Sequence, residues 1–580
     1  MKSLILPFSA GTASLQEQTW LSNGLICQLE GEHESLVAVD QFMRLQYLAE
    51  KAKLDAVNKP NPMGLFPSKN ELYLGNRTLM SPGLESLGDT FQSESILSQL
   101  LPSWIEYAES TSTLTSTKIW AQAMLGSLEV ASGHQSLIER IRLAQRRIDA
   151  LTNSRVSQFS RSAHYMGSKV AIAPFLAEIL HTFLSKESVV LDLMCGSGAA
   201  AGVFSRSWRT LASDAQHFSR LLGIVQGGGM TPERAQVIAN RVLSIARVHF
   251  EEMPHFFQNN IKLESDFLAS ELDEDVLDDL FEWIKSYPRI GNFQSTSESP
   301  FADAIHQRRI NANTQPYILF STYYGNLFFG VRQAAEIDSL RFAVDQLENQ
   351  DDRFWALGAL VCAVSSCAYS YGGHFAQPKF VGIDRSRLDT HAQDMLVKRG
   401  LSVSHEFVVR FTNLAAESAE TQFAVEPIEG PWEKALSLAA EATQGAPVCV
   451  YLDPPYTRDE YSRYYHVLET LVRYEYPLVK DKPSIPKRGD GGRFASPFAT
   501  RHILQIEQLL AQIINECLDR KWSCLWSYSS TGVASIPMVL AQVLPRAGKF
   551  DIFCMDHSYK AQGRQGAKNV KEYAFFLRPK

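Results

Sequence analysis

At 580 residues the chain is too long for one hydrophobic core, so about two to four structural units are expected. Its 45% hydrophobic and 21% charged residues are ordinary for a soluble globular protein. A net charge of −7 excludes capture of nucleic acid by a global positive field, so any such partner must be held by local basic patches.

The opening "MKSLILPFSAG" is too short in its apolar part for a signal peptide, and no later run reaches the roughly 18 apolar residues of a membrane span. A cytoplasmic protein without a membrane partner is expected. The eight cysteines lack CxxC or Cys/His ligand spacing, which predicts reduced, mostly buried thiols and no metal site. Residues 1–155 mix Ser/Thr-rich and Pro/Gly-rich pieces with helical patterns such as "HQSLIERIRLAQRRIDALTN". They carry no chemical constellation and read as a separate region.

From 164 the texture changes. "HYMGSKVAIAPFLAEILHTFL" is a polar turn leading into an amphipathic helix. "SVVLDLMCGSGAAAGVFSR" reads as a buried strand, a Gly-rich turn and the start of a small-residue helix. Residues 231–360 are mainly helical in pattern, and their acidic stretch "ESDFLASELDEDVLDDLFEWIK" reads as a solvated helix face. From about 400, the strand candidates "EFVVRF", "PVCVYL", "WSCLWSY", "FDIFCM" and "YAFFLR" alternate with helical stretches. This alternation predicts an α/β fold with a mostly parallel, doubly wound sheet. The sheet is expected to begin near 188, break for the helical stretch and resume near 400.

Two constellations carry chemistry. In "VVLDLMCGSGAAAGVF", Asp192 ends the strand, and Gly196 and Gly198 turn the chain into a helix where a ligand can approach the backbone. Asp214 ends the next strand candidate, at a distance that suits hydrogen bonding to a ribose. The third position of a full G-x-G-x-x-G is Ala201, so the segment suits adenosine-type ligands in general or a purely structural tight turn. The second constellation is "LDPPY". Pro454 and Pro455 donate no backbone N–H, and Asp453 is pushed to an extended conformation, giving a stiff, open turn with Tyr456 beyond it. In open α/β sheets the carboxyl edge of the strands is where ligands bind.

In this order the stretches resemble the S-adenosylmethionine-dependent amino-methyltransferases, specifically the Dam-like (D12) class of DNA adenine methyltransferases. "HYMGSK" is similar to the family's N-terminal cofactor motif, "DLMCGSG" to its cofactor loop, "SDAQ" to its ribose turn and "LDPPYTRDEYS" to its catalytic motif. "YYGNLFFGVRQAAEIDSLR" and "SYGGHFA" resemble its target-recognition insert, and "YKAQGRQGAKNVKEYAFFLR" its basic C-terminal hairpin. The resemblance covers about 164–578. It implies a Rossmann-like methyltransferase sheet with a helical target-recognition insert and an extra N-terminal region. The implied division is 1–155 of unknown role, 156–228 with the cofactor pocket, 229–385 as the insert, and 386–580 with the catalytic turn and hairpin. S-adenosylmethionine would lie against Tyr165, Lys169, Asp192, Cys195, Gly196, Gly198, Asp214 and Asp453, and Asp453, Pro454, Pro455 and Tyr456 would be catalytic. The chain departs from the pattern in having Cys195 rather than Phe before the first loop glycine, and in "FTNLAAES", which offers Asn413 but no acid for the cofactor's adenine.

Such chemistry needs an acceptor for the hydrogens of a poorly nucleophilic exocyclic amine, a role open to Asp453 and the Pro454 carbonyl. It needs no metal, since orientation and fixed electrostatics suffice. The base must leave the duplex, and Tyr456 can stack on it. Tyr461, Tyr464 and Tyr465 either line the pocket or pack a helix on the sheet. For double-stranded DNA, the 480–502 stretch offers Lys487, Arg488 and Arg493 to phosphates, and the tail offers Arg564 and Lys568. Arg308, Arg309 and Arg332 are further candidates. The resulting expectation is a site-specific adenine-N6 methyltransferase in a restriction-modification or defence setting, or working alone. A ribosomal-RNA base methyltransferase and a non-catalytic DNA-binding module are the alternatives.

Overall fold

The computed structural model describes residues 165 and 168–580, except 271–272, 291–295, 312–316, 377, 380–384, 420, 478–484, 490–491, 530 and 561–566. The N-terminal region expected at 1–155 lies outside the described residues.

The chain begins with α1 (Ala173–Phe183), β1 (Val189–Asp192), α2 (Ala199–Phe204), β2 (Arg209–Ser213) and α3 (His217–Ile224). A helical stretch follows: α4 (Pro232–Glu251), α5 (His255–Ala269), α6 (Glu274–Ser286), α7 (Ala302–Ile310), α8 (Leu319–Tyr323), α9 (Val331–Asp345), α10 (Gln350–Cys367), α11 (Arg385–Arg399) and α12 (Val403–Ser418). The sheet then resumes with β3 (Val425–Ile428), α13 (Trp432–Thr443), β4 (Val448–Leu452), α14 (Tyr461–Arg473), α15 (Ile503–Asp519), β5 (Ser523–Ser529) and α16 (Ile536–Val543). It closes with β6 (Ala547–Lys560) and β7 (Ala567–Pro579). No helix among the described residues is long and apolar enough to cross a membrane.

The strands form one sheet in the order β3-β2-β1-β4-β5-β7-β6, parallel from β3 to β5 and antiparallel where β7 meets β5 and β6. This mostly parallel α/β sheet fits a Rossmann-like methyltransferase fold. The central strands have no solvated face, which explains their unbroken apolar sequence. Val190, Cys449, Tyr451 and Leu525 pack under α1 and α2, while Val189, Leu191, Val448, Val450 and Trp526 pack under α13, α15 and α16. A separate core joins α3, α4, α9, α10, α12 and α14.

Two expectations fail here. "EFVVRF" is not a strand but part of α12, so the sheet resumes at Val425 rather than near 400. Its apolar residues fall on a helical spacing: Phe407, Phe411, Leu414 and Ala415 are all buried. Ser402 caps the helix by accepting from His405 N at 3.2 Å, and Glu336 accepts from Val403 N and Ser404 N. The actual strand is "VEPI", overlooked because Pro427 argues against a strand. It is tolerated because β3 is an edge strand.

The acidic stretch departs from its expectation at its first residue. Along α6 the acids face solvent and Leu277, Leu280, Trp283 and Ile284 face inward. Glu264 of α5, however, is only 1% exposed. Its carboxylate accepts from Val331 N at 3.1 Å and Arg332 N at 2.9 Å, capping α9, and pairs with the equally buried Arg399 at 3.5 Å. Removing one partner of a buried pair strands the other charge. Glu264→Ala should therefore destabilise the protein by about 3–5 kcal/mol. Exposed Asp275→Ala should stay within roughly 0.5 kcal/mol. Urea unfolding of both variants measures the difference.

Candidate active site

Strand β1 ends at Asp192, and the loop beyond it is shaped by glycine. Gly196 and Gly198 have φ of 50° and 76°, a region that side chains with a Cβ rarely enter. A Cβ on Gly198 would lie 2.6 Å from the backbone of Gly223 on α3, and one on Gly196 would lie 2.9 Å from the Tyr165 ring. The loop thus packs tightly on both sides. Asp192 Oδ2 accepts from Ala201 N at 3.1 Å, which fixes the start of α2. Cys195 N donates to Ser213 O, and its thiol donates to Ser219 O, so this residue is buried packing for the loop.

Asp214 stands just past β2. One carboxylate oxygen accepts from Gln216 N at 2.9 Å, and the other from Gly196 N at 3.1 Å, tying the second strand end to the glycine loop. Burial pushes this carboxyl up to about 6. Burial also raises Asp192 well above the usual carboxylate range, with Asp453 and Asp214 adding to the effect. Asp192 Oδ1 and Trp432 Nε1 are buried atoms without a hydrogen-bond partner, and both residues line one cavity of about 580 Å³.

The same cavity reaches the Asp-Pro-Pro-Tyr turn after β4. The side chain of Lys169 lies among its polar groups, with Nζ 3.0 Å from Asp453 Oδ1, 2.7 Å from the Tyr456 hydroxyl and 3.5 Å from Glu572 Oε1. The Tyr456 hydroxyl also donates to Glu572 Oε1, and Ser527 Oγ donates to Asp453 Oδ1 at 3.4 Å. Burial raises Asp453 and Glu572, and Lys169 pulls against that in both. Burial works against the Lys169 charge, but Asp453 and Glu572 outweigh it and hold the ammonium above its ordinary value.

The structure thus brings Tyr165, Lys169, Asp192, Cys195, Gly196, Asp214, Asp453, Pro454, Pro455 and Tyr456 onto one cavity wall, with Gly198 behind the loop. Tyr465 is buried and stacks on Tyr165 with centroids 4.7 Å apart, and Tyr464 packs edge-on against His374. Tyr461 lines the cavity. Glu572 was overlooked in the sequence; the available signal was a lone acid opening the apolar run "EYAFFL". The wall after β3 is formed by Pro431, Trp432 and Glu433, whereas "FTNLAAES" closes α12 and does not line the cavity.

The basic candidates divide. Arg493 does not face outward: its guanidinium donates to both Glu460 oxygens at 3.0 and 2.8 Å and to Pro486 O at 2.9 Å. A bidentate pair with a mostly buried carboxylate outcompetes exposure. It pins the loop whose Phe494, Ser496, Pro497 and Phe498 complete the cavity wall. Arg488 is exposed and donates to the carbonyls of Ser496 and Ala499, and Lys487 is exposed. Arg564 lies outside the described residues, and Lys568 is described only by its place on β7. Arg308 is buried, 3.7 and 4.7 Å from the Tyr317 and Tyr474 ring centroids. Arg332 donates to the carbonyls of Arg399, Gly400 and Leu401, whereas Arg309 is exposed.

No protein-family model matches the chain. It is 20% identical over 429 residues to the type II methyltransferase M.FokI of Planomicrobium okeanokoites, a match covering 71% of this chain and 52% of that protein. It is 21% identical over 326 residues to the modification methylase LlaI of Lactococcus lactis subsp. lactis, covering 55% of this chain and 39% of that protein. The matches therefore span about half the length of the first relative and less of the second.

The pinned loop can be tested directly. Arg493→Ala should lose about 1.5–3 kcal/mol of local stability, the scale of hydrogen bonds to a charged group. Limited proteolysis should then cut within 485–500 faster than in the unaltered protein. Lys487→Ala should leave the cleavage rate unchanged.

Proposed function

We propose that the chain is an S-adenosylmethionine-dependent DNA methyltransferase acting on the N6 amine of adenine. The observation that carries this reading is one cavity that joins the Gly196–Asp214 loop to the Asp453–Tyr456 turn. The two relatives, named as a methyltransferase and a modification methylase, support the reaction class. The name of the second also supports a modification setting, and a restriction or defence partner is part of the proposal. In this reading the helical stretch α4–α12 helps to recognise the target, and Lys487, Arg488, Arg564 and Lys568 contact the duplex.

The cavity residues fit the cofactor. Asp214 would accept from the ribose hydroxyls, Gly196 lets the backbone approach it, and the unpartnered Asp192 Oδ1 and Trp432 Nε1 offer one acceptor and one donor. When bound, S-adenosylmethionine supplies a methyl group already activated on a sulfonium. The chain has to prepare the amine. Its lone pair is delocalised into the base, so Asp453 accepts one N–H and the Pro454 carbonyl accepts the other, favouring a tetrahedral nitrogen. Lys169 and Ser527 meet Asp453 on Oδ1. The Lys169 ammonium opposes the rise that burial imposes on Asp453, helping it remain an acceptor. Tyr456 gives the extruded base a ring to lie against. On transfer the carbon–sulfur bond breaks to leave a thioether, and the nitrogen sheds one proton, which would pass to Asp453 or to water; orientation and fixed charge supply the rest.

Asp453→Ala should abolish transfer and leave the cofactor bound. A loss of about 3–4 orders of magnitude corresponds to roughly 4–5.5 kcal/mol of transition-state stabilisation. The assay incubates mixed duplex DNA with labelled cofactor, digests it to nucleosides and identifies the product. N6-methyladenine is expected; N4-methylcytosine, or label in RNA alone, would overturn the reading.

Asp214 sets the pH response of cofactor binding. Its carboxyl titrates near 6, above the ordinary 3.8, so it is protonated in growing proportion as pH falls through that value. A protonated carboxyl is a poorer acceptor for ribose, and calorimetric affinity should weaken below about pH 6. Asp214→Asn should bind roughly 1–3 kcal/mol more weakly and lose most of that pH dependence.

A further inference from the structure

We propose that Glu572 is a positioning residue for the transfer step, acting through the Tyr456 hydroxyl and the Lys169 ammonium. This rests on the reading that Asp453 and Tyr456 hold the target base.

Glu572 lies on β7, opposite Ser529 of β5, and β5 separates β7 from β4. Its side chain therefore acts from two strands away on the turn that follows β4. It is 2% exposed, at the head of a run in which Tyr573, Ala574, Phe575, Phe576 and Leu577 are all buried apolar packing. Its pairing with Lys169 is weak evidence of a stability role, because a whole buried ion pair can often be replaced by apolar residues at no cost to the fold. What it contacts is specific. Its Oε1 accepts from the Tyr456 hydroxyl and lies 3.5 Å from Lys169 Nζ.

These contacts have two consequences. Tyr456 is fixed at both ends of its side chain, by the proline turn at its backbone and by Lys169 and Glu572 at its hydroxyl. Its ring also meets Tyr528 edge-on, with centroids 5.0 Å apart. A ring held this way presents one plane to an incoming base, and a misplacement of about 1 Å at a reacting centre can cost roughly 100-fold in rate. The second consequence is electrostatic. Two carboxylates share one ammonium, so Lys169 is not given wholly to Asp453. Neutralising Glu572 would remove one of the two carboxylates that fix the ammonium, so Lys169 would no longer be held between Asp453 and the Tyr456 hydroxyl. Tyr456 is thus more than a stacking surface in this proposal.

The test is a double-mutant cycle on the full chain with Glu572→Gln, Tyr456→Phe and both together. The probes are labelled S-adenosylmethionine and plasmid DNA from a methylation-free host. Each single variant should lower the single-turnover transfer rate by about 10–100-fold while calorimetric cofactor affinity stays within about twofold. The double variant should be no slower than the slower single, within about twofold, because both changes disturb one linkage: Gln removes the charge that faces Lys169, and Phe removes the hydroxyl between Lys169 and Glu572. Multiplied losses, or a Glu572→Gln protein at the unaltered rate, would overturn the inference alone. Should Glu572→Gln fail to fold, an unaltered rate in Tyr456→Phe would overturn it equally. An unaltered protein that methylates no DNA would overturn the functional reading and the inference with it.

Discussion

The parallel pairing of β1 with β4 is the constraint on which the site depends. Val189 pairs with Val448 and Asp192 with Tyr451, in register along the whole of β1. Both strands are buried throughout, so neither can slip without exposing apolar surface. Their ends are consequently level, and Leu193 N bonds to Tyr451 O beyond the last pair. Two segments more than 250 residues apart in the sequence are thereby held at one edge with Asp192 and Asp453 on the same cavity. With Asp214 beside them, three partly or fully buried acids crowd that edge, each raised by burial.

Much of this was legible from the amino acids because it is local. A glycine that must enter positive φ, an acid that ends a buried strand, and two prolines that stop one are each properties of a few consecutive residues. The parallel sheet was likewise visible in short apolar runs separated by helical patterns. Errors arose where the deciding partner was remote. "EFVVRF" has β-branched and aromatic content, but Ser402, Glu336 and the packing of α4 and α10 make it helical. β3 hides behind a proline that only an edge strand tolerates. Arg493 looks like every other cation of its loop until Glu460 is placed beside it. Arg308 belongs to two tyrosine rings, one of them, Tyr474, far along the chain.

Glu572 and Glu264 illustrate the same limit for acids. Both occur in segments whose neighbours suggest a plain role, one in an apolar strand and the other in an acidic helical stretch. Each is buried because its donors arrive from elsewhere: Tyr456 and Lys169 for the first, and the α9 backbone with Arg399 for the second. A buried acid is a tertiary fact, and composition cannot distinguish it from a solvated one.

The helix that follows the Asp-Pro-Pro-Tyr turn has one further implication. Tyr465, Val467, Leu468 and Leu471 of α14 belong to the same core as Leu340 and Val344 of α9 and Leu360 and Val364 of α10. Arg341 of α9 donates to the carbonyl of Leu471 at 3.0 Å, and Asp338 accepts from the Tyr474 hydroxyl. The helical stretch is therefore not a cassette hung on the sheet. Grafting it from one relative to another would carry along a mismatched inner face for α14, and with it the anchorage of the proline turn. Chimeras cut at the ends of the stretch should be built with α14 moved as part of the same piece.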